Sequence, residues 1–88
     1  MGYHHNAKQQ LFQDGAAELA YSLPAPQVID FIHTYVPESR RGEGIGDELV
    51  ATGLDYARRH HLRVRASCPF VAAYLQRHPE YNDLLDDH

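Results

Sequence analysis

The sequence predicts an α/β (α+β) fold, with about four strands and two helices. Three observations carry this. Asp14-Gly15, a strong hairpin signal, stands between two segments of strand composition. Residues 28–36 read Val-Ile-Asp-Phe-Ile-His-Thr-Tyr-Val, a β-branched and aromatic run. Beyond it Ile45, Leu49, Gly53 or Leu54, and Ala57 recur at helical spacing. A chain of 88 residues holds one core, so residues 1–88 are read as a single domain.

Each element follows from local chemistry. Lys8–Gln13 is a short strand and Ala16–Leu23 its hairpin partner. Pro24-Ala25-Pro26 should stop the second strand, because proline cannot donate to a ladder. Val28–Val36 is apolar on both faces, the pattern of a central strand, and Pro37 ends it. Glu38–Glu43 is a loop. Gly44–His61 is the clearest helix, with Asp47 and Glu48 leading and Arg58 and Arg59 trailing, as the helix dipole favours. Leu62–Ser67 is a fourth strand, where Leu62, Val64 and Ala66 alternate with Arg63 and Arg65. Pro69 suits the first turn of a second helix running to His78, and Pro79 blocks its continuation. A polar tail follows, with Tyr81, Leu84 and Leu85 as anchors.

Composition narrows the function. With 43% hydrophobic and 23% charged residues the chain is not of disordered type. Its net charge of −4 weighs against a general nucleic-acid binder. Yet the bases cluster between Arg40 and Arg77, while Glu80, Asp83, Asp86 and Asp87 crowd the end. A locally basic middle suits a small anionic ligand better than a long polyanion. An adaptor surface over Arg58–Arg65 is the alternative use of that charge. No apolar run is long enough for a membrane helix. The polar start and the lone Cys68 fit a cytoplasmic domain without signal peptide or disulfide. His4-His5 and His60-His61 have no third ligand spaced with them, so no metal site is expected.

The chemistry concentrates where the central strand hands over to the first helix, at Arg40-Arg41-Gly42-Glu43-Gly44-Ile45-Gly46. Glycines let backbone approach a ligand, and the free N–H groups of a first helical turn bind anions. Two flanking arginines make a phosphate or pyrophosphate the natural occupant. A P-loop is excluded, since Ile45-Gly46-Asp47 stands where Gly-Lys-Ser/Thr is needed. A dinucleotide fingerprint is excluded too, since Asp47 and Leu49 occupy its possible third glycine positions. What remains is R-x-x-G-x-G, formed by Arg41, Gly44 and Gly46.

That motif after a strand resembles the pyrophosphate loop of the GNAT superfamily of acyl-CoA-dependent N-acetyltransferases. The wider pattern is His33-Thr34-Tyr35-Val36-Pro37, Ser67-Cys68-Pro69-Phe70-Val71 and His78-Pro79-Glu80-Tyr81. It resembles a short, single-domain GNAT-like family over roughly His5 to Leu85. The resemblance implies an antiparallel hairpin feeding a mixed sheet with helices packed on it, and acetyl-CoA as cofactor. It implies that Thr34, Tyr35, Val36, Glu43, Ile45 and the loop glycines Gly42, Gly44 and Gly46 line the cofactor, with Ser67, Cys68 and Tyr74 also touching it. Arg40 and Arg41 would meet its phosphates. Tyr74 falls where larger members carry a tyrosine that protonates the departing thiolate; Ser67 replaces their asparagine and His78-Pro79 their Gly-Phe. The acceptor would be an amine, on a small molecule or a protein lysine.

Cys68 ends the fourth strand just before a helix N-terminus, a place that lowers a thiol pKa. It is either an acetyl acceptor in a two-step route or a small buried hydrophobe. In the one-step route the amine needs a base, and His33 is the candidate. His33 is expected on the side of Ile29, Phe31 and Tyr35, where its other reading is a hydrogen-bonded core histidine. A non-catalytic module that holds CoA or an acyl-CoA is the alternative function.

Overall fold

The computed structural model describes residues 3–86; Asp87 lies outside them. Its centre is a five-stranded sheet in the order β1-β2-β3-β4-β5. The strands are β1 (Tyr3–Asn6), β2 (Leu11–Asp14), β3 (Ala17–Ala25), β4 (Val28–Tyr35) and β5 (Arg63–Ala66). Neighbours are antiparallel except β4 and β5, which are parallel. Helix α1 (Ile45–Arg59) connects that parallel pair, and α2 (Pro69–Arg77) follows β5. A 3₁₀ turn over Pro79–Leu84 follows α2.

Most elements lie where the sequence predicts. Gly15, at φ +61°, makes the turn that pairs Asp14 with Ala17. The buried positions of α1 are Ile45, Gly46, Leu49, Val50, Gly53, Leu54 and Ala57, the stripe its spacing predicts. Gly53 is required by closeness: a Cβ there would stand 2.8 Å from the Phe31 ring.

Four expectations need correction. There is a fifth strand: Tyr3–Asn6 is polar in composition but pairs with β2 and sends His5 inward, onto Phe12 at 4.4 Å. The strand expected over Lys8–Gln13 begins only at Leu11, because residues 7–10 form the turn between β1 and β2. Pro24 does not stop β3, which runs to Ala25. The register shifts between Ser22 and Ala25, so Pro24 falls between ladder pairs and its missing N–H costs nothing.

The fourth correction bears on the site. β4 is an inner strand, between β3 and β5, but is covered on one face only. Phe12, Leu19, Tyr21, Ile29, Phe31 and Val64 are buried, whereas Gln13, Glu18, Ala20, Asp30 and Arg65 on the other face are not. Near the middle of β4 Ala20 pairs with His33 and Tyr21 with Phe31, so Ile32 is an extra, bulged residue. The bulge resets the alternation. Thr34 joins the inner face beside Leu19, and His33 and Tyr35 turn outward beside Ala20 and Glu18. His33 is therefore exposed and on the side opposite Ile29 and Phe31.

The tail also differs from a free polar end. Leu84 is buried, Leu85 bridges to Val64, and the Asp86 N–H donates to the Val64 carbonyl at 2.9 Å. Arg58 clasps Asp83 with two hydrogen bonds of 2.7 and 3.2 Å. Arg63 donates to the carbonyls of Asp83 and Leu85, and Arg65 pairs with Asp86 at 2.7 Å. Arg58, Arg63 and Arg65 of the patch read as an adaptor surface are thus occupied by the chain's own acidic end. No helix of the described residues is long and apolar enough to cross a membrane.

Candidate functional site

β4 and β5 run side by side only as far as Phe31 and Ala66. There β5 turns away. Ser67 donates its N–H and Oγ–H to the Asp30 carboxylate at 3.0 and 2.8 Å, and the Cys68 N–H donates to the Phe31 carbonyl at 2.9 Å. His33–Tyr35 therefore keep β3 on one side and have no ladder partner on the other. Between this freed edge and the start of α1 opens a groove of about 420 Å³.

The groove is lined by Thr34, Tyr35 and Val36 from β4 and its end, by Arg40, Arg41, Gly42 and Gly44 from the loop, by Ile45, Gly46 and Asp47 from α1, and by Phe70 from α2. Gly42 at φ +90° and Gly44 at φ +77° hold the loop in left-handed backbone, with nothing near a would-be Cβ. Gly44 opens α1 and no side chain caps it, so first-turn N–H groups remain for an anion. The arginines divide the work. Arg40 is committed to the hairpin, with Nη1 donating to the Asp14 carbonyl at 2.7 Å and Nη2 3.3 Å from its carboxylate. Arg41 donates only Nε, to the Val36 carbonyl at 3.0 Å, which fixes the side chain while its terminal nitrogens have no acceptor among the described residues. Asp47 adds a negative charge, offset by Arg77 at 3.6 Å.

Cys68 lies behind this lining, 5% exposed, with Sγ 3.4 Å from the Thr34 hydroxyl. Burial pushes its pKa up, but hydrogen bonds from the Thr34 hydroxyl and the backbone N–H groups of Val71 and Phe70 outweigh it, and the thiol sits below its ordinary value. Tyr74 is buried one turn further along α2 than Phe70, stacked on His78 at 4.1 Å and beside Tyr81. Burial first, then the Tyr81, Asp47 and Glu80 charges, raise its pKa, so it keeps its proton. Of the residues singled out from sequence, His33, Glu43, Ser67, Cys68 and Tyr74 do not line the groove; Cys68 reaches it only through its contact with Thr34.

Phe70 and Asp47 are lining residues that sequence reasoning missed. A Cβ on Gly46 would lie 2.9 Å from the Phe70 ring, so the glycine makes a seat for it. No short-range pattern signals a contact between the first turns of two different helices. Among the described residues no group of three or more metal-ligating side chains gathers.

Comparison with known proteins agrees with this architecture. A family model described as GCN5-related N-acetyl-transferase matches residues 7–84. Protein NATD1 of Gallus gallus and of Mus musculus are each 30% identical over 63 residues, 72% of this chain and 57% of theirs. The chain thus spans little more than half the length of these curated relatives. The solution structure of a GCN5-like candidate N-acetyltransferase from Staphylococcus aureus superposes with a TM-score of 0.77 at 25% identity, covering 98% of this chain and 91% of that one.

Proposed function

The chain belongs to the GCN5-related N-acetyl-transferase family, and on that premise we propose that it binds acetyl-CoA and transfers the acetyl group to the amine of an acceptor, working in the cytoplasm. One observation carries the reading: the groove between the freed edge of β4 and the uncapped start of α1. Its donors suit a phosphate-bearing ligand, and Val36, Ile45 and Phe70 suit an apolar chain leading from it. When bound, the cofactor supplies an activated thioester. The chain's own residues bind and orient it. First-turn N–H groups of α1 and the free edge of Arg41 hold phosphate, and the unpaired β4 edge offers backbone donors to a carbonyl.

Two routes for the acetyl group stay chemically open to these residues. Cys68 has a lowered pKa and touches Thr34, which suits a covalent route. Direct attack by the amine needs a base, and His33 stands on the outer face as its candidate. Radiolabel retained on protein denatured during turnover supports the first route; its absence supports the second.

Among the described residues the outer face of the sheet is left uncovered, and this supports a second reading, a module that holds CoA without turnover. The primary test is thermal unfolding with acetyl-CoA. At a hundredfold excess over Kd a ligand adds about 2.7 kcal/mol, which moves the midpoint of so small a domain by roughly 4–8 °C per kcal/mol. No shift at millimolar ligand overturns the reading. Release of free CoA thiol with a panel of amines separates enzyme from binding module.

A further inference from the structure

Asp30 stands half-buried on the outer face of β4 and takes both donors of Ser67, the N–H at 3.0 Å and the Oγ–H at 2.8 Å. Its register partner on β5 is Arg65, whose Nε goes to Asp86, so the Asp30 carboxylate is left for Ser67. The backbone bonds show the consequence. In the β4–β5 ladder Val28 pairs with Arg63, and the Arg63 N–H donates to the Gln27 carbonyl at 2.7 Å. A parallel ladder repeats every two residues, so the same pattern assigns the Arg65 N–H to Ile29 and the Ser67 N–H to Phe31. Ser67 does not make that last bond. Its N–H goes to the Asp30 side chain, and the Cys68 N–H takes the Phe31 carbonyl at 2.9 Å. One residue is thereby added at the end of β5, as in a bulge, and the chain beyond is advanced by one position. Cys68 closes the ladder in place of Ser67, its carbonyl accepts the Ala72 N–H at 3.0 Å to begin α2, and its sulfur lies 3.4 Å from the Thr34 hydroxyl.

We propose that Asp30 is a positioning residue of the acyl site: by drawing the Ser67 N–H out of the ladder it sets the register that ends the β4–β5 pairing beside the groove and holds Cys68 against Thr34. Its bearing on a ligand rests on the acyl-CoA reading above. Asp30 does not line the groove and acts through Ser67. Without the carboxylate, the Ser67 N–H returns to the Phe31 carbonyl, the acceptor that the ladder reserves for it. Cys68 then loses that bond and its place beside Thr34, and α2 begins from a shifted residue. A ligand in the groove must restore the register that a hydrogen bond to a charged group had held, and its affinity falls accordingly.

The test reads the register on the full chain without ligand, by NMR, from the scalar coupling that passes through a hydrogen bond between an amide nitrogen and a carbonyl carbon. Wild type should show it between Cys68 and Phe31. Asp30→Ala should move it to Ser67 and Phe31. Asp30→Val should do the same, and its β-branched side chain keeps the strand preference should alanine loosen the fold. Asp30→Asn, whose side-chain carbonyl still accepts the Ser67 N–H, should keep the wild-type pattern. By calorimetry the acetyl-CoA Kd should rise about tenfold in Asp30→Ala and Asp30→Val and stay within about threefold of wild type in Asp30→Asn. A merely structural part for Asp30 lowers stability in the variants and leaves the coupling at Cys68, and that result overturns the inference. A coupling that moves while the acetyl-CoA Kd keeps its wild-type value overturns it as well. Wild type that binds no acetyl-CoA overturns the acyl-CoA reading instead, and the coupling still decides whether Asp30 sets the register.

Discussion

Arginines gather at both ends of α1, and the molecule treats the two groups in opposite ways. At and beyond the C-terminal end, Arg58, Arg63 and Arg65 are spent on the tail: carboxylates of Asp83 and Asp86 and three backbone carbonyls take their donors. Before the N-terminal end, Arg40 is tied to the hairpin but Arg41 gives up one donor and keeps its outer edge. Residue type is the same in both places. What differs is whether the chain brings its own acceptors. The acidic tail supplies them at one end; at the other, glycines strip away side chains and leave backbone N–H groups instead. One end contributes to stability and the other is left to bind.

The comparison can be broken by variants that make either end behave as the other. Leu84 is the apolar anchor of the closed end, 7% exposed. Leu84→Ala should cost about 2–5 kcal/mol in urea titration while leaving acetyl-CoA affinity as it was. A matching loss of affinity would show that the two ends are coupled. Arg41→Glu is the converse. It should weaken acetyl-CoA by about 1.5–3 kcal/mol, roughly tenfold to hundredfold in Kd by calorimetry, with the unliganded midpoint unmoved.

Two smaller effects sharpen the contrast. Gly53 lies between the ends, where α1 presses on the sheet. Gly53→Ala puts a methyl 2.8 Å from the Phe31 ring and 3.1 Å from Leu19, and overpacking of about 1–3 kcal/mol should lower the urea midpoint. The pH response should separate binding from stability as well. His5 packs on Phe12 and Tyr56 with its Nε2 2.6 Å from the Tyr21 hydroxyl, and burial, with help from His60 and His4, lowers its pKa from 6.5. The unfolded chain then binds the proton more readily, so this stability is complete above pH 6.5 and is lost as pH falls below it toward the lowered native value. A stability curve that stays flat from pH 7 to 5, or steepens equally in His5→Phe, would remove His5 as the cause.

Much of this was legible in the residues. The turn at Gly15, the α1 stripe and Pro69 at the start of α2 are local signals, set by backbone preference and hydrophobic period. The phosphate-suited loop was legible for the same reason, since Arg41, Gly44 and Gly46 are close in sequence and their chemistry is local. β1 was not, because its partner strand, rather than its own polar composition, makes Tyr3–Asn6 extended.

The sequence by itself determined which segments become strands and helices in the main, where the anion-suited loop lies, and that Cys68 falls between β5 and α2. Tertiary structure alone decided the rest. The bulge at Ile32 turned His33 outward and brought Thr34 to Cys68. The tail consumed one group of arginines, and Phe70 found its seat on Gly46. Each of these depends on register or on contact between segments distant in the chain. Local preference acts over a few residues, whereas register and packing are settled only when whole faces are buried together.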